Sequence, residues 1–103
     1  MGYRKRLDII ADILDVASSR ARKTRIMYQA NLSYRLLQKY LREIKRSNLV
    51  MYDRNGRCYL LTNKGKEFLE SYKEYSRRAN FVEKHINNFK LKEKALERLC
   101  PET

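Results

Sequence analysis

The chain is poor in everything that interrupts a helix or builds a metal site. Its 103 residues include one proline, three glycines, two cysteines, one histidine and no tryptophan. The single proline, Pro101, lies so late that helices before it can run unbroken. Three scattered glycines exclude a Gly-rich phosphate loop. Cys58 and Cys100 are far apart and His85 is the only histidine, so no zinc-ligand spacing exists and both cysteines read as free thiols. No metal, cofactor or small-molecule ligand is expected. No apolar run approaches the roughly 20 residues of a membrane span, which points to a soluble, cytoplasmic protein without a membrane partner. Met1-Gly2 resembles the start of a myristoylation signal, but Arg6 stands where Ser or Thr is required. Without a Cys–His pair, and with the carboxylates of the first segment on a solvated face, an enzyme is not expected.

Acid is also scarce. Twelve Asp and Glu face 24 Lys and Arg, a net of +12 and a pI near 10.0, while 43% hydrophobic residues are enough to fold. Residues 1–66 hold sixteen basic and five acidic side chains, an excess of eleven; residues 67–103 hold eight and seven. An excess confined to one part of a chain points to a polyanion there, and nucleic acid is the commonest.

Leu7, Ile10, Ala11, Leu14 and Ala17, widened by Ile9, Ile13 and Val16, follow helical spacing from Arg4 to about Ser18, with Asp8, Asp12 and Asp15 opposite. Lys23 to Ala30 reads as a short second helix with Thr24 near its cap, and Asn31 suits a chain reversal. Ser33 is a good N-cap for a third helix to about Ser47, buried through Leu37, Tyr40, Leu41 and Ile44. Two helices about three residues apart, the second basic on its outer face, form a helix-turn-helix pattern. Leu49–Tyr52 and Cys58–Leu61 read as strands around Asn55-Gly56, a type I′ hairpin signal that sets Arg54 opposite Arg57.

Thr62 then caps a long helix. Phe68, Tyr72, Tyr75, Ala79, Val82, Ile86, Phe89, Glu93, Leu96 and Cys100 follow heptad steps of four and three, with Glu93 the one polar fault. A helix of about 37 residues is roughly 55 Å long, more than a small domain covers, so its stripe needs a partner, most simply a second copy. The expected architecture is therefore mainly α with a small β-hairpin (α+β): a winged helix-turn-helix head over residues 1–66 and a coiled-coil arm over 67–103. Tyr72, Tyr75, Ala79, Val82, Ile86, Phe89 and Leu96 are the expected dimerisation residues. The heptad alone leaves parallel and antiparallel pairing open.

The second helix of such a motif lies in the major groove. Arg35 and Gln38 could there reach base edges, and Lys39, Arg42, Lys45 and Arg46 phosphates. Tyr34 flanks the turn as a possible phosphate donor. Lys23, Thr24 and Arg25 open the preceding helix, and Arg54 and Arg57 at the wing tip suit a narrow minor groove or its phosphates. Arg4, Lys5 and Arg6 read equally as a flexible arm on the duplex or as a merely soluble terminus.

Lys23-Thr24-Arg25-Ile26-Met27-Tyr28-Gln29-Ala30-Asn31-Leu32-Ser33-Tyr34 and Tyr59-Leu60-Leu61-Thr62-Asn63-Lys64-Gly65 resemble the archaeal ten-kilodalton winged-helix chromatin proteins known from Sulfolobus. The resemblance covers nearly the whole chain. It implies an abundant, nucleoid-associated protein that binds double-stranded DNA as a homodimer, joined through an antiparallel coiled coil of the last helix. Glu93 and the longer end from Lys90 depart from the pattern. A largely sequence-indifferent architectural role is the first expectation, and a sequence-specific transcriptional regulator on the same fold the alternative.

Overall fold

The computed structural model describes residues 4–102. Met1 and Gly2, with the myristoylation-like start, and Tyr3 and Thr103 lie outside them. The order is α1 (Arg6–Ala17), α2 (Lys23–Gln29), α3 (Tyr34–Arg46), β1 (Val50–Asp53), β2 (Cys58–Leu61) and α4 (Asn63–Leu99). This is the expected winged helix-turn-helix followed by a long helix. No described helix is long and apolar enough to cross a membrane.

The core gathers Ile10, Ile13, Leu14 and Ala17 of α1, Ile26 of α2, Leu37, Leu41 and Ile44 of α3, and Val50, Tyr59 and Leu61 of the hairpin. The broad α1 stripe is buried through Ile9, Ile10, Ala11, Ile13, Leu14 and Ala17, and of its residues only Leu7, in the first turn, is exposed, at 42%. Nor are the α1 carboxylates a plain solvated face. Asp8 accepts from the Tyr72 hydroxyl and from the Lys5 N–H, and these bonds, the hydroxyl's first, hold it below its ordinary pKa. Asp12 accepts from Arg4 at 3.0 Å.

Both turns flanking α3 close with the same device. Asn31 and Asn48 take the left-handed conformation at φ 53° and 60°. The next N–H then bonds back across the helix end, Leu32 to Met27 O at 3.0 Å and Leu49 to Ile44 O at 2.9 Å. These are Schellman closures, built on asparagine where glycine is usual. Ser33 caps α3, its hydroxyl accepting from Leu36 N–H at 3.2 Å. Thr24 caps nothing: α2 begins at Lys23 as expected, but its N-cap is Arg22, two residues before Thr24, with no side-chain cap bond.

The hairpin keeps the expected register, Tyr52 opposite Tyr59 and Asp53 opposite Cys58. Its turn differs. Among the loop residues only Arg57 has positive φ, at 51°, and Gly56 does not. Asp53 Oδ1 accepts from Asn55 N–H at 3.0 Å, organising a four-residue loop in place of the two-residue type I′ turn. Arg54 and Arg57 thus sit in the loop and are not a ladder pair. Ala21, in the connection between α1 and α2, exchanges backbone bonds with Tyr59 at 3.1 and 2.8 Å, adding a one-residue third strand to the wing.

Thr62 locks the hairpin to α4: its Oγ1 donates to Asn48 O at 2.7 Å and accepts from Gly65 N–H at 3.0 Å. The first turn of α4 therefore runs against the Asn48–Leu49 backbone just before β1, so close that a Cβ at Gly65 would stand 2.0 Å from Leu49 O. The obstacle is backbone, which cannot swing aside. Gly65→Ala is expected to destabilise the head by about 3 kcal/mol, the upper end of ordinary overpacking. Urea unfolding of the two proteins would measure it, and an unchanged midpoint would refute the close approach.

The chain divides into two units, one through Tyr72 and one from Lys73. Phe68, Leu69 and Tyr72 belong to the first because they pack on the head core. Tyr72, expected on the dimer seam, is thereby engaged within the head. In the second unit the seam positions Tyr75, Val82, Ile86, Phe89 and Leu96 are all exposed.

Candidate nucleic-acid interface

The outer face of α3 carries Arg35, Lys39, Arg42 and Arg46, spaced four, three and four residues apart and so aligned along one side. All four are exposed. Arg35, Arg42 and Arg46 have no ion-pair or hydrogen-bond partner among the described residues. Lys39 lies over the Tyr40 ring at 5.5 Å and Lys45 over the Tyr59 ring at 5.1 Å, which holds both stems against the head.

The head's few acids are spent elsewhere. Arg6 reaches from α1 to Glu43, the one carboxylate of α3, and Arg20 meets Asp53 at 2.8 Å. Arg4 bonds Asp12 and also the carbonyls of Ala30 and Asn31, where the chain turns from α2 to α3. Arg4 and Arg6 are therefore structural ties and not the flexible arm that the sequence left open. Their effect is to neutralise carboxylates while the α3 cations stay free.

Three candidates come together beside the turn. Lys23 Nζ stands 4.7 Å from the Tyr34 ring centroid and 3.5 Å from its hydroxyl, and Gln38 Nε2 donates to that hydroxyl at 3.2 Å. Tyr34 thus bridges α2 to α3 and orients Gln38 while remaining 59% exposed. Thr24 is exposed in the first turn of α2. Arg25 instead turns back to Ser19 Oγ at 3.2 Å and Arg20 O at 3.5 Å, bracing the α1–α2 connection. Arg54 and Arg57 are exposed in the wing loop, unpaired among the described residues.

Sequence reasoning passed over Arg22. It is exposed at the N-cap of α2 and has no partner among the described residues, unlike its neighbour Arg20. Composition marked this stretch as basic but could not tell the tied arginine from the free one. Among the described residues no group of three His, Cys, Asp or Glu side chains could hold a metal ion. Cys58 is buried and Cys100 exposed, both as free thiols.

A winged helix-turn-helix family profile matches residues 3–80. Among solved structures, the chain is similar to Sso10a-2, described as a DNA-binding protein from Sulfolobus solfataricus. The two share 27% identity with a TM-score of 0.66 over 96% of this chain and 100% of the other. No curated protein matches.

Proposed function

This chain belongs to the winged helix-turn-helix family, and we propose that it is a dimeric, nucleoid-associated protein that binds double-stranded DNA with little sequence preference. The observation that carries this reading is the line of exposed cations on α3, left unpaired while Arg6 neutralises Glu43. With α3 in the major groove, Arg35, Lys39, Arg42 and Arg46 meet phosphates on the groove walls, and Arg54 and Arg57 of the wing meet the adjacent minor groove or its phosphates. Lys23 and Tyr34 add donors beside the turn. The DNA-binding description of the Sulfolobus solfataricus relative supports the same class. The protein acts by binding and has no catalytic role in this reading.

Dimerisation runs through the arm, where the exposed seam from Tyr75 to Leu96 would pair with a second copy. An antiparallel pair sets two heads apart, able to bridge two duplexes or to span separated grooves of one.

A sequence-specific regulator is the competing reading, favoured by Gln38, whose amide Tyr34 orients. Selection of binding sites from random duplex decides between them. A flat result at an affinity that falls steeply with salt supports the architectural role. Enrichment of one palindrome supports the regulator, and affinity indifferent to salt overturns both.

A further inference from the structure

The arm is close to neutral as a whole, but its charge is not spread evenly round the helix. From Arg77 to Leu99 seven Lys and Arg meet three acids, Glu83, Glu93 and Glu97. At about 100° per residue, all three acids lie at least about 120° round α4 from Phe81. Arg77, Lys84 and Lys92 lie within about 60° of it, and so do His85 and Asn88. Arg78 shares that side and is tied at 2.8 Å to Glu74, one turn earlier. One side of α4 over this stretch therefore carries cations and neutral groups without an acid, and these side chains are all exposed.

Phe81 stands in the middle of that side, 64% exposed, with its ring centroid 4.3 Å from that of His85 in an edge-to-face pair. A lone exposed phenyl needs no explanation. Here it sits among Arg77, Lys84 and Lys92, which have no ion-pair or hydrogen-bond partner among the described residues. Cations along a line with an aromatic ring between them suit an unpaired nucleic-acid strand, whose phosphates meet the charges while a base stacks on the ring. A duplex would use the cations and leave the ring idle, because its base faces are already stacked on one another.

We propose that this side of α4 is a second nucleic-acid surface, which takes single-stranded DNA: one base stacks on Phe81, and Arg77, Lys84 and Lys92 meet the phosphates. The Asn88 amide beside the ring offers a donor and an acceptor to the edge of that base. The surface needs neither the dimer nor α3. Phe81 lies about 100° round the helix from Val82 and about 140° from Ile86, so a pairing through the seam leaves it open. Only the choice of DNA over RNA rests on the reading that the head binds DNA, since stacking and phosphate contacts ignore the 2′-hydroxyl.

The test titrates the full-length chain with labelled oligo-dT, oligo-rU and duplex DNA of equal length, read by anisotropy. Phe81→Ala is expected to weaken oligo-dT binding at least fivefold, the low end for one stacked base, and to leave duplex binding within about twofold. Arg77→Gln, Lys84→Gln and Lys92→Gln together should lower the oligo-dT salt slope by about 2.1, which is about 0.7 for each phosphate lost on a single strand. The chain has no tryptophan, so Phe81→Trp places one reporter on this face. Its emission should be quenched by oligo-dT and not by duplex. Native oligo-dT affinity in Phe81→Ala, an equal loss on duplex, or unchanged emission at saturating oligo-dT would each overturn the proposal. Loss of oligo-dT binding on replacing Arg35, Arg42 and Arg46 with alanine would place the strand on the head and overturn it too. Tighter binding of oligo-rU than of oligo-dT would overturn the choice of DNA. A native chain that binds oligo-dT through Phe81 but binds no duplex would support this surface while refuting the reading of the head.

Discussion

Replacing Arg35, Arg42 and Arg46 together with alanine is expected to weaken duplex binding about a thousandfold near physiological salt. A hydrogen bond to a charged group contributes about 1.5 kcal/mol at the low end, close to tenfold in affinity, and three are removed per head. The salt dependence makes a sharper statement. Each lost phosphate contact lowers the slope of log affinity against log salt by about 0.9, hence by about 2.7 per engaged head. The fold should not notice, because all three side chains are exposed and unpartnered among the described residues, and such surface changes lie within about 0.5 kcal/mol. Fluorescence anisotropy with labelled duplex, between low and high salt, measures both quantities. A variant with the native slope would remove α3 from the interface. Arg6→Ala makes a useful companion: it frees Glu43 among the α3 cations, and so should weaken binding although Arg6 itself touches no DNA in this reading.

The elements that sequence could place are those written in local chemistry. Ser33 before a 3.6-residue stripe fixes the start of α3, and Asn31 fixes the reversal before it, because each acts on backbone groups within a few residues. The hairpin register followed from Asn55-Gly56 at the turn centre. The conformation of the turn did not, since Asp53 accepts from Asn55 N–H and the positive φ falls at Arg57. Likewise the resemblance to the archaeal winged-helix proteins, carried by the segments around Tyr28 and Thr62, is borne out by the family and structural matches. The Tyr59–Gly65 segment gains a physical reason: Tyr59 pairs with Ala21, Thr62 caps, and Gly65 admits the Leu49 backbone.

What escaped sequence reasoning is contact between residues far apart in the chain. A one-residue strand at Ala21 has no period to detect. The fates of the arginines are equally non-local: Arg4, Arg6 and Arg20 find acids or carbonyls at least eight positions away, while Arg22, Arg35, Arg42 and Arg46 find none among the described residues. Net charge counted them alike. Only the fold separates the cations that hold the head together from those available to an anionic partner, and that separation turns a global charge into a candidate interface.

Ile86→Asp is expected to abolish the proposed dimer and, with it, most duplex affinity, without altering any of the residues proposed to face DNA. Ile86 is 48% exposed in the single chain and lies in the unit beyond Tyr72, so the head should keep its native unfolding midpoint. In an arm that pairs through this seam, as proposed, Ile86 of each copy lies in a covered layer. Each substitution forfeits about 2 kcal/mol of apolar burial and places a carboxylate in a layer without a donor. Two such losses raise the dimer dissociation constant at least a thousandfold. Binding then depends on one head in place of two linked heads, and the loss of linkage removes an advantage on the order of a hundredfold or more when both can engage. The salt slope should fall to about half, because half the phosphate contacts are gone. Sedimentation equilibrium and salt-resolved duplex binding on the same samples separate the steps. A dimeric variant would move the seam away from Ile86. A monomer with undiminished affinity and slope would mean that each head acts alone on DNA, leaving the arm to bring separate duplexes together.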